Sequence, residues 1–334
     1  MKIVKQCIGI DVSKNSLECC MGSADSDQQH SYSNTKTFDN TLVGFKELYS
    51  WVKKKQNCTD ISFVLEATGV YYENLAYWLH EKDLSLSVLL PNKVNHFAKS
   101  HNIKTKTDWV DAQILSMLGL ERTLQPWTVP SMLMHEIKYL TREYRELKRK
   151  GTCTKNQLHA KTSAYKCPKS VERRLKKQIR LLETQIAEVE AELRVLVMSD
   201  DNLYEKIERL ESIPGVNFMT IICVLGETNA FALVNNAKQL TSYCGLDIQH
   251  KQSGLKQGKT RISKKGNSFI RHALYMPALS ATQHNPTLKS FYNRLSERKA
   301  AKKIAVTAVA RKLLILMYVL WKNQTEYNPD YQKL

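Results

Sequence analysis

The chain has 334 residues, more than one domain usually holds, so two or three folding units are expected. A hydrophobic fraction of 43%, a charged fraction of 25%, 12 Gly and 8 Pro exclude a disordered or low-complexity chain. The net charge of +18 is unevenly placed: residues 1–130 hold 14 basic and 14 acidic residues, leaving 36 of the 50 basic and 18 of the 32 acidic ones downstream. One-sided positive charge suits a polyanionic partner, because neutralised phosphates release condensed counterions.

The eight cysteines, Cys7, Cys19, Cys20, Cys58, Cys153, Cys167, Cys223 and Cys244, contain no Cys-x-x-Cys pair, so neither a zinc site nor a disulfide framework is indicated and a reducing cytoplasm is the expected location. Residues 1–10 lack the apolar region of a signal peptide, and the apolar stretch 313–321 is too short to span a bilayer. No membrane partner is expected.

In chain order, 5–10 reads as a buried strand, 16–21 as its hairpin neighbour and 36–38 as a short third strand. Apolar residues at Leu42, Phe45, Leu48, Tyr49 and Val52 follow the helical period, and 61–65 is an apolar run ending in Glu66. A helix over 72–82, a strand over 84–90 closed by Pro91 and a short helix over 92–100 complete a βββαβαβα order. That order predicts an α/β N-terminal domain with a mixed sheet, and it is the order of the ribonuclease-H-like fold. A further helix should start near Thr107, a plausible N-cap, and contain Asp108 and Asp111. Pro126 and Pro130 mark a boundary.

From Leu133 the apolar residues alternate four and three apart through Leu147, and the pattern returns from Leu175 to Leu196. With 151–170 between the segments, either an antiparallel helical hairpin or an intermolecular coiled coil is indicated, and the strict alternation favours the coiled coil. Farther on, Ile213-Pro-Gly-Val lies between two apolar helical stretches and resembles a helix-hairpin-helix turn, in which N–H groups after Gly215 would face a DNA phosphate. The expected organisation is a catalytic domain over 1–128, a coiled-coil or helical linker over 129–205 and a mostly α C-terminal domain over 206–334.

Four carboxylates stand out by position. Asp11 ends one buried strand and Glu66 another, while Asp108 and Asp111 are three apart on one helix and share a face. Acids gathered at one point repel unless cations neutralise them, the requirement of a two-metal phosphoryl-transfer site holding two Mg²⁺ ions. Each also has a local reading, Asp11 in a hairpin turn and Asp108 at a helix N-terminus. A second constellation lies downstream: seven basic residues, Lys251, Lys256, Lys259, Arg261, Lys264, Lys265 and Arg271, with no acid among them and with Gly254, Gly258 and Gly266 interspersed. By composition this is a phosphate-binding loop. Ser253 within it reads as a turn residue at least as readily as a nucleophile, since no histidine base is evident.

Gly9-Ile-Asp-Val-Ser-Lys, Leu65-Glu-Ala-Thr-Gly, Lys106-Thr-Asp-Trp-Val-Asp-Ala, Ile213-Pro-Gly-Val, Tyr243-Cys-Gly-Leu, Gln252-Ser-Gly and Lys264-Lys-Gly-Asn, in this order from residue 7 to about 285, resemble the DEDD transposases of insertion-sequence family 110. The resemblance implies a RuvC-like N-terminal domain with Asp11, Glu66, Asp108 and Asp111 as a Mg²⁺-binding tetrad. It implies a C-terminal transposase domain in which Ser253 attacks DNA and forms a covalent phosphoserine. It further implies donor and target double-stranded DNA as substrates and a structured bridge RNA as guide. Assembly as a tetramer is also implied, the tetrad of one protomer serving the serine of another, with the coiled-coil segment as the place of assembly. Two rival readings share these residues: a RuvC-like structure-specific nuclease that uses activated water, and a non-enzymatic nucleic-acid-binding protein on a degenerate ribonuclease-H scaffold.

Overall fold

The computed structural model describes residues 2–105, 107–250, 252–253, 256–258, 260–298 and 301–329, with the backbone alone at 256, 257 and 298. The chain divides into two compact units, Met1–Val129 and Pro130–Leu334.

The first unit opens with β1 (Ile3–Val12) and β2 (Ser16–Asp25), an antiparallel pair, followed by β3 (His30–Tyr32) and β4 (Lys36–Asp39), both paired with β2. Helix α1 (Leu42–Lys55) is capped by Thr41, whose hydroxyl accepts from Gly44 N. Then come β5 (Ile61–Glu66), α2 (Glu73–His80), β6 (Ser85–Leu89), α3 (Pro91–Ser100) and α4 (Asp108–Glu121). The sheet order is β3-β2-β1-β5-β6, with β1, β5 and β6 parallel. The sequence pattern anticipates this order except for β3, whose three residues are too few to show an alternation and mostly face solvent.

Strand alternation divides the core into two layers. Ile8, Ile10, Phe63 and Leu65 pack against Phe45, Leu48, Leu75 and Leu79 of α1 and α2. Cys7 and Val64 face the opposite way and pack with Val94, Phe97, Val110, Ile114, Leu115 and Leu118 of α3 and α4. Thr107 sits at the N-cap of α4 in extended conformation as expected, but its hydroxyl makes no capping bond.

The second unit is helical. Helices α5 (Met132–Thr162) and α6 (Lys169–Met198) form an antiparallel hairpin, and the apolar seam predicted for a coiled coil closes within the chain: Ile137, Leu147, Leu182, Val189 and Leu193 are buried there. The connection is shorter than the sequence suggests, because α5 continues through Gly151 to Thr162. The hydroxyls of Thr152 and Thr154 fold back onto Lys148 O and Lys150 O, and one helical glycine is tolerated at about 1 kcal/mol. Downstream lie α7 (Asp201–Glu211), α8 (Phe218–Thr228), α9 (Ala237–Tyr243), four two-residue strands β7 to β10 (Ile248–Gln249, Gln252–Ser253, Lys256–Gln257 and Arg261–Ile262), α10 (Ser268–Ala273), α11 (Tyr275–His284), α12 (Pro286–Arg298) and α13 (Lys302–Asn323). These helices and the hairpin share one hydrophobic core. Helix α13 is longer than the apolar stretch read from sequence, and by length and composition it is able to cross a membrane. Its Val306, Val309, Leu313, Leu314 and Met317 are instead core residues of this unit.

Candidate active site and nucleic-acid interface

In the first unit the acids are brought together by the packing of α4 on β1. A β-carbon at Gly9 would run into Ala112 O and Ser116 N, and one at Gly119 would strike Cys7 Sγ. The helix therefore lies directly on the strand, antiparallel to it, with Gly119 over Cys7 and the turn 112–116 over Gly9. Moving on to Asp11 advances about 6.6 Å along the strand, or roughly four helical residues. That step places the turn containing Asp108 and Asp111 at the level of Asp11. The helix is fixed in this register by Ser116 Oγ, which donates to Cys7 O (2.9 Å), and by Lys5 Nζ, which donates to Gly119 O (2.7 Å) and Leu120 O (3.2 Å) at its C-terminal end.

Glu66 joins through sheet register. Ile10 and Leu65 are paired on the parallel strands β1 and β5, so one residue farther Asp11 and Glu66 emerge side by side on the α4 face. Sequence reasoning missed a further acid: Glu18 of β2 lies directly opposite Asp11 and accepts a hydrogen bond from Thr37 Oγ1 (2.6 Å). Its signal was available only as strand pairing. Asp11, Glu18, Glu66 and Asp111 are half-buried and Asp108 is exposed. Among the described residues no three His, Cys, Asp or Glu side chains close on a common point. The backbone thus gathers the acids at one edge without drawing their carboxylates into a single cluster.

In the second unit, Ser253 lies on a two-tiered antiparallel hairpin. Ile248 and Gln249 pair with Ile262 and Arg261, and Gln252 and Ser253 pair with Gln257 and Lys256. Ser253 is exposed and is the last residue of β8, paired with Lys256. Of the predicted phosphate contacts, Arg261, Lys264 and Lys265 are exposed, whereas Lys251, Gly254, Lys259 and the Lys256 side chain lie outside the described residues. Arg271 and Gly266 hold the loop rather than reach out from it. Arg271 Nη1 donates to Cys244 O (2.7 Å), Gly266 O (3.0 Å) and Asn267 O (3.3 Å), and a β-carbon at Gly266 would meet Tyr243 O.

The hairpin base is anchored by a buried carboxylate that the sequence did not single out. Glu227 accepts from Arg142 Nε (2.6 Å), Arg142 Nη2 (3.0 Å) and Asn267 Nδ2 (2.6 Å), and its main-chain carbonyl accepts from Tyr243 OH (2.8 Å). Asn267 also caps α10 through Phe269 N and Ile270 N. The Arg142 and Arg145 guanidinium groups both lie over the Phe269 ring at 4.4 Å. Burial pushes the Tyr243 hydroxyl up to about 12, as it does the neighbouring Cys223 and Cys244 thiols. The Tyr243-Cys-Gly-Leu and Lys264-Lys-Gly-Asn motifs are thus two sides of one hydrogen-bonded platform under the hairpin.

Gly215 has a packing role. Its φ is +94°, and a β-carbon there would stand 2.9 Å from Ala281 N on α11. The following Val216 N–H donates to Ile213 O at 3.1 Å, and the Asn217 side chain caps α8 by accepting from Thr220 N.

Two family models match the chain. One, for the IS110-type DEDD transposases, covers residues 8–165, and one, described as the transposase IS116/IS110/IS902 family, covers 207–293. The pilin gene-inverting proteins of Moraxella lacunata and Moraxella bovis are each 28% identical over 330 residues, 97% of this chain and 98% of theirs. The transposase for insertion sequence element IS1111A of Coxiella burnetii is 29% identical over 146 residues, 42% of this chain and 39% of that protein. Among solved structures, T. thermophilus RuvC in complex with a Holliday junction substrate aligns over 36% of this chain and 99% of that one, with 8% identity and a TM-score of 0.30.

Proposed function

Since the chain belongs to the IS110 family of DEDD transposases, we propose that it cuts and exchanges DNA strands through a covalent phosphoserine at Ser253, assisted by Mg²⁺ at Asp11, Glu66, Asp108 and Asp111. The observation that carries this reading is the emergence of Asp11 and Glu66 side by side beneath the Asp108–Asp111 turn. The sheet order is that of ribonuclease-H-like domains, and the acids stand at the carboxyl ends of its parallel strands, where open α/β sheets bind ligands.

The donor set fits a hard divalent cation: every candidate ligand is a carboxylate, and Asp11 has Glu18 and Glu66 on the strands to either side. Like charges directly opposite in a sheet are unfavourable unless compensated. Asp11, Glu66, Asp108 and Asp111 would hold the ions, and Glu18, engaged by Thr37, would reinforce the negative potential that attracts them. Bound Mg²⁺ supplies charge neutralisation at the scissile phosphate.

The chain's own part begins with presentation. An exposed hydroxyl at the end of a narrow two-stranded ribbon reaches a duplex backbone that a flat surface does not. Arg261, Lys264 and Lys265 attract the phosphates alongside it, while the platform around Glu227 keeps the hairpin base from shifting. Ser253 Oγ forms an ester bond to phosphorus as the bond from phosphorus to a deoxyribose oxygen breaks. The proton lost by the serine ends on the departing sugar oxygen. One phosphodiester is exchanged for another, so strands rejoin without an outside energy source. A structured RNA pairing with donor and target DNA would choose the sites, and self-association would supply the copies needed for paired cuts.

The test is a denaturing gel of the full-length protein incubated with Mg²⁺, its co-purifying RNA and end-labelled donor DNA. A covalent protein–DNA adduct lost in both Ser253→Ala and Asp11→Asn is expected. Cleavage without an adduct would make the protein a water-using nuclease, and neither cleavage nor adduct would leave it a binding protein.

A further inference from the structure

Helix pairing concentrates charge in a way the overall balance conceals. Residues 148–180, the distal half of the α5–α6 hairpin, contain twelve Lys and Arg and a single acid, Glu172. The next stretch, 181–211, contains three basic residues against nine acidic ones. The antiparallel turn gathers the twelve cations at one end of a projecting rod. At the other end, Arg145 lies on Phe269 and Gly226 abuts Lys138, so the rod is rooted in the helical body. From Arg145 to the end of α5 at Thr162 the helix advances about 25 Å.

All twelve cationic residues are exposed. Three form salt bridges, Lys150 with Glu146, Lys155 with Glu183 and Lys176 with Glu172. Among the described residues no acid forms a salt bridge with Arg149, Lys161, Arg173, Arg174, Lys177 or Arg180, and the one acid acting on Lys169 is Glu172, which is already bridged to Lys176. On α6 these cations repel one another at helical spacing: Lys169 with Arg173, Arg173 with Lys177, Lys176 with Arg180 and Lys177 with Arg180 are three or four apart. A merely solvated helix face usually interleaves acids to relieve such repulsion. This one does not, although the stretch after residue 180 is rich in them.

We propose that the distal α5–α6 hairpin is a second nucleic-acid surface, which grips a duplex by its phosphate backbone independently of the Ser253 hairpin. A duplex is favoured over a single strand because single-strand surfaces stack bases on successive aromatic rings, and 148–180 contains only one aromatic residue, Tyr165. The two-helix rod is too wide for the major groove, so its contacts are to phosphates and carry no sequence preference. The surface does not depend on which group is the nucleophile, and its test leaves the catalytic chemistry aside.

The experiment compares the full-length protein with the fourfold variant Arg173→Gln, Arg174→Gln, Lys177→Gln and Arg180→Gln. Glutamine forms helices nearly as well as arginine, and none of the four side chains is buried. Helical content and melting temperature verify the fold. Binding to a 25-base-pair DNA duplex and to an RNA duplex of equal length is measured from 50 to 300 mM salt. Each lost phosphate contact lowers the log–log salt slope by about 0.9, so the slope should fall by about 3 and affinity near 100 mM salt by at least tenfold. A loss confined to DNA or to RNA identifies which duplex occupies the surface, and an equal loss means that both do. Unchanged slope and affinity for both duplexes in a folded variant would overturn the proposal, as would a change confined to sedimentation behaviour, which would make the surface a contact between copies of the chain. Adduct formation at Ser253, assayed separately, reports on the proposed chemistry whichever way this result falls.

Discussion

Replacing Gly9 by alanine tests whether close packing of α4 on β1 is what assembles the acidic edge. The added methyl would penetrate Ala112 O and Ser116 N, both backbone atoms that no side-chain rotation can move aside. Restoring van der Waals contact requires the helix to retreat by about 1 Å. Ser116 Oγ and Lys5 Nζ, which hold it in register, must then stretch or break their bonds. Overpacking of this kind costs about 2–3 kcal/mol. In a unit of this size that corresponds to a fall in Tm of about 8–12 °C. A 1 Å displacement of Asp108 and Asp111 relative to Asp11 and Glu66 should also lower strand exchange roughly a hundredfold. Calorimetry of the full-length variant, followed by the adduct assay at a temperature where it is still folded, measures both. A Gly9→Ala protein that melts within 2 °C of the parent and exchanges strands at the parental rate would refute the argument.

Further outcomes follow from the same contacts. Ser253→Ala should abolish adduct and strand exchange while duplex affinity stays within about threefold, because one exposed hydroxyl adds little to binding dominated by phosphate neutralisation; a large loss of affinity in a filter assay contradicts this. Glu227→Gln keeps the shape but removes the charge from the bonds to Arg142 and Asn267, and chemical denaturation should show a loss of about 2 kcal/mol from the second unit. Unchanged stability there would mean that the platform does not hold the hairpin base. Cys7, Cys223 and Cys244 are held up to about 12 by burial, against 9.0 for an open thiol. Their neutral forms belong to the folded state, so their contribution is complete below pH 9 and is lost as pH rises from about 9 toward 12. An unfolding midpoint that stays flat across that window excludes the effect, whereas below pH 9 these thiols should give no slope.

How much of this was legible in the sequence depends on the range of the interaction concerned. The strands and helices of the first unit follow from apolar periodicity, and the positions of Asp11 and Glu66 follow from their places at the ends of apolar runs. The 4-3 alternation from Leu133 and from Leu175 marked a helical seam, because the period of a helix is local. Whether that seam closes within the chain or between chains is not local information, and here Ile137 and Leu147 are buried in one core with Leu182, Val189 and Leu193 of the same chain. Arg271 shows the same limit. Its place in a basic stretch suggested a phosphate contact, yet its guanidinium is taken up by the carbonyls of Cys244, Gly266 and Asn267, two of which precede it by five and four residues and one of which lies 27 residues away.

Charge asymmetry, element order and the identity of the acids were therefore determined by the sequence itself, since each depends on composition or on neighbours within a few positions. Only the tertiary structure decided that Glu18 stands opposite Asp11, that Glu227 lies beneath the Ser253 hairpin and that twelve cations collect at one end of a helical rod. Those facts arise from strand register, burial and antiparallel return, which join residues distant in the chain through contacts that no local pattern encodes.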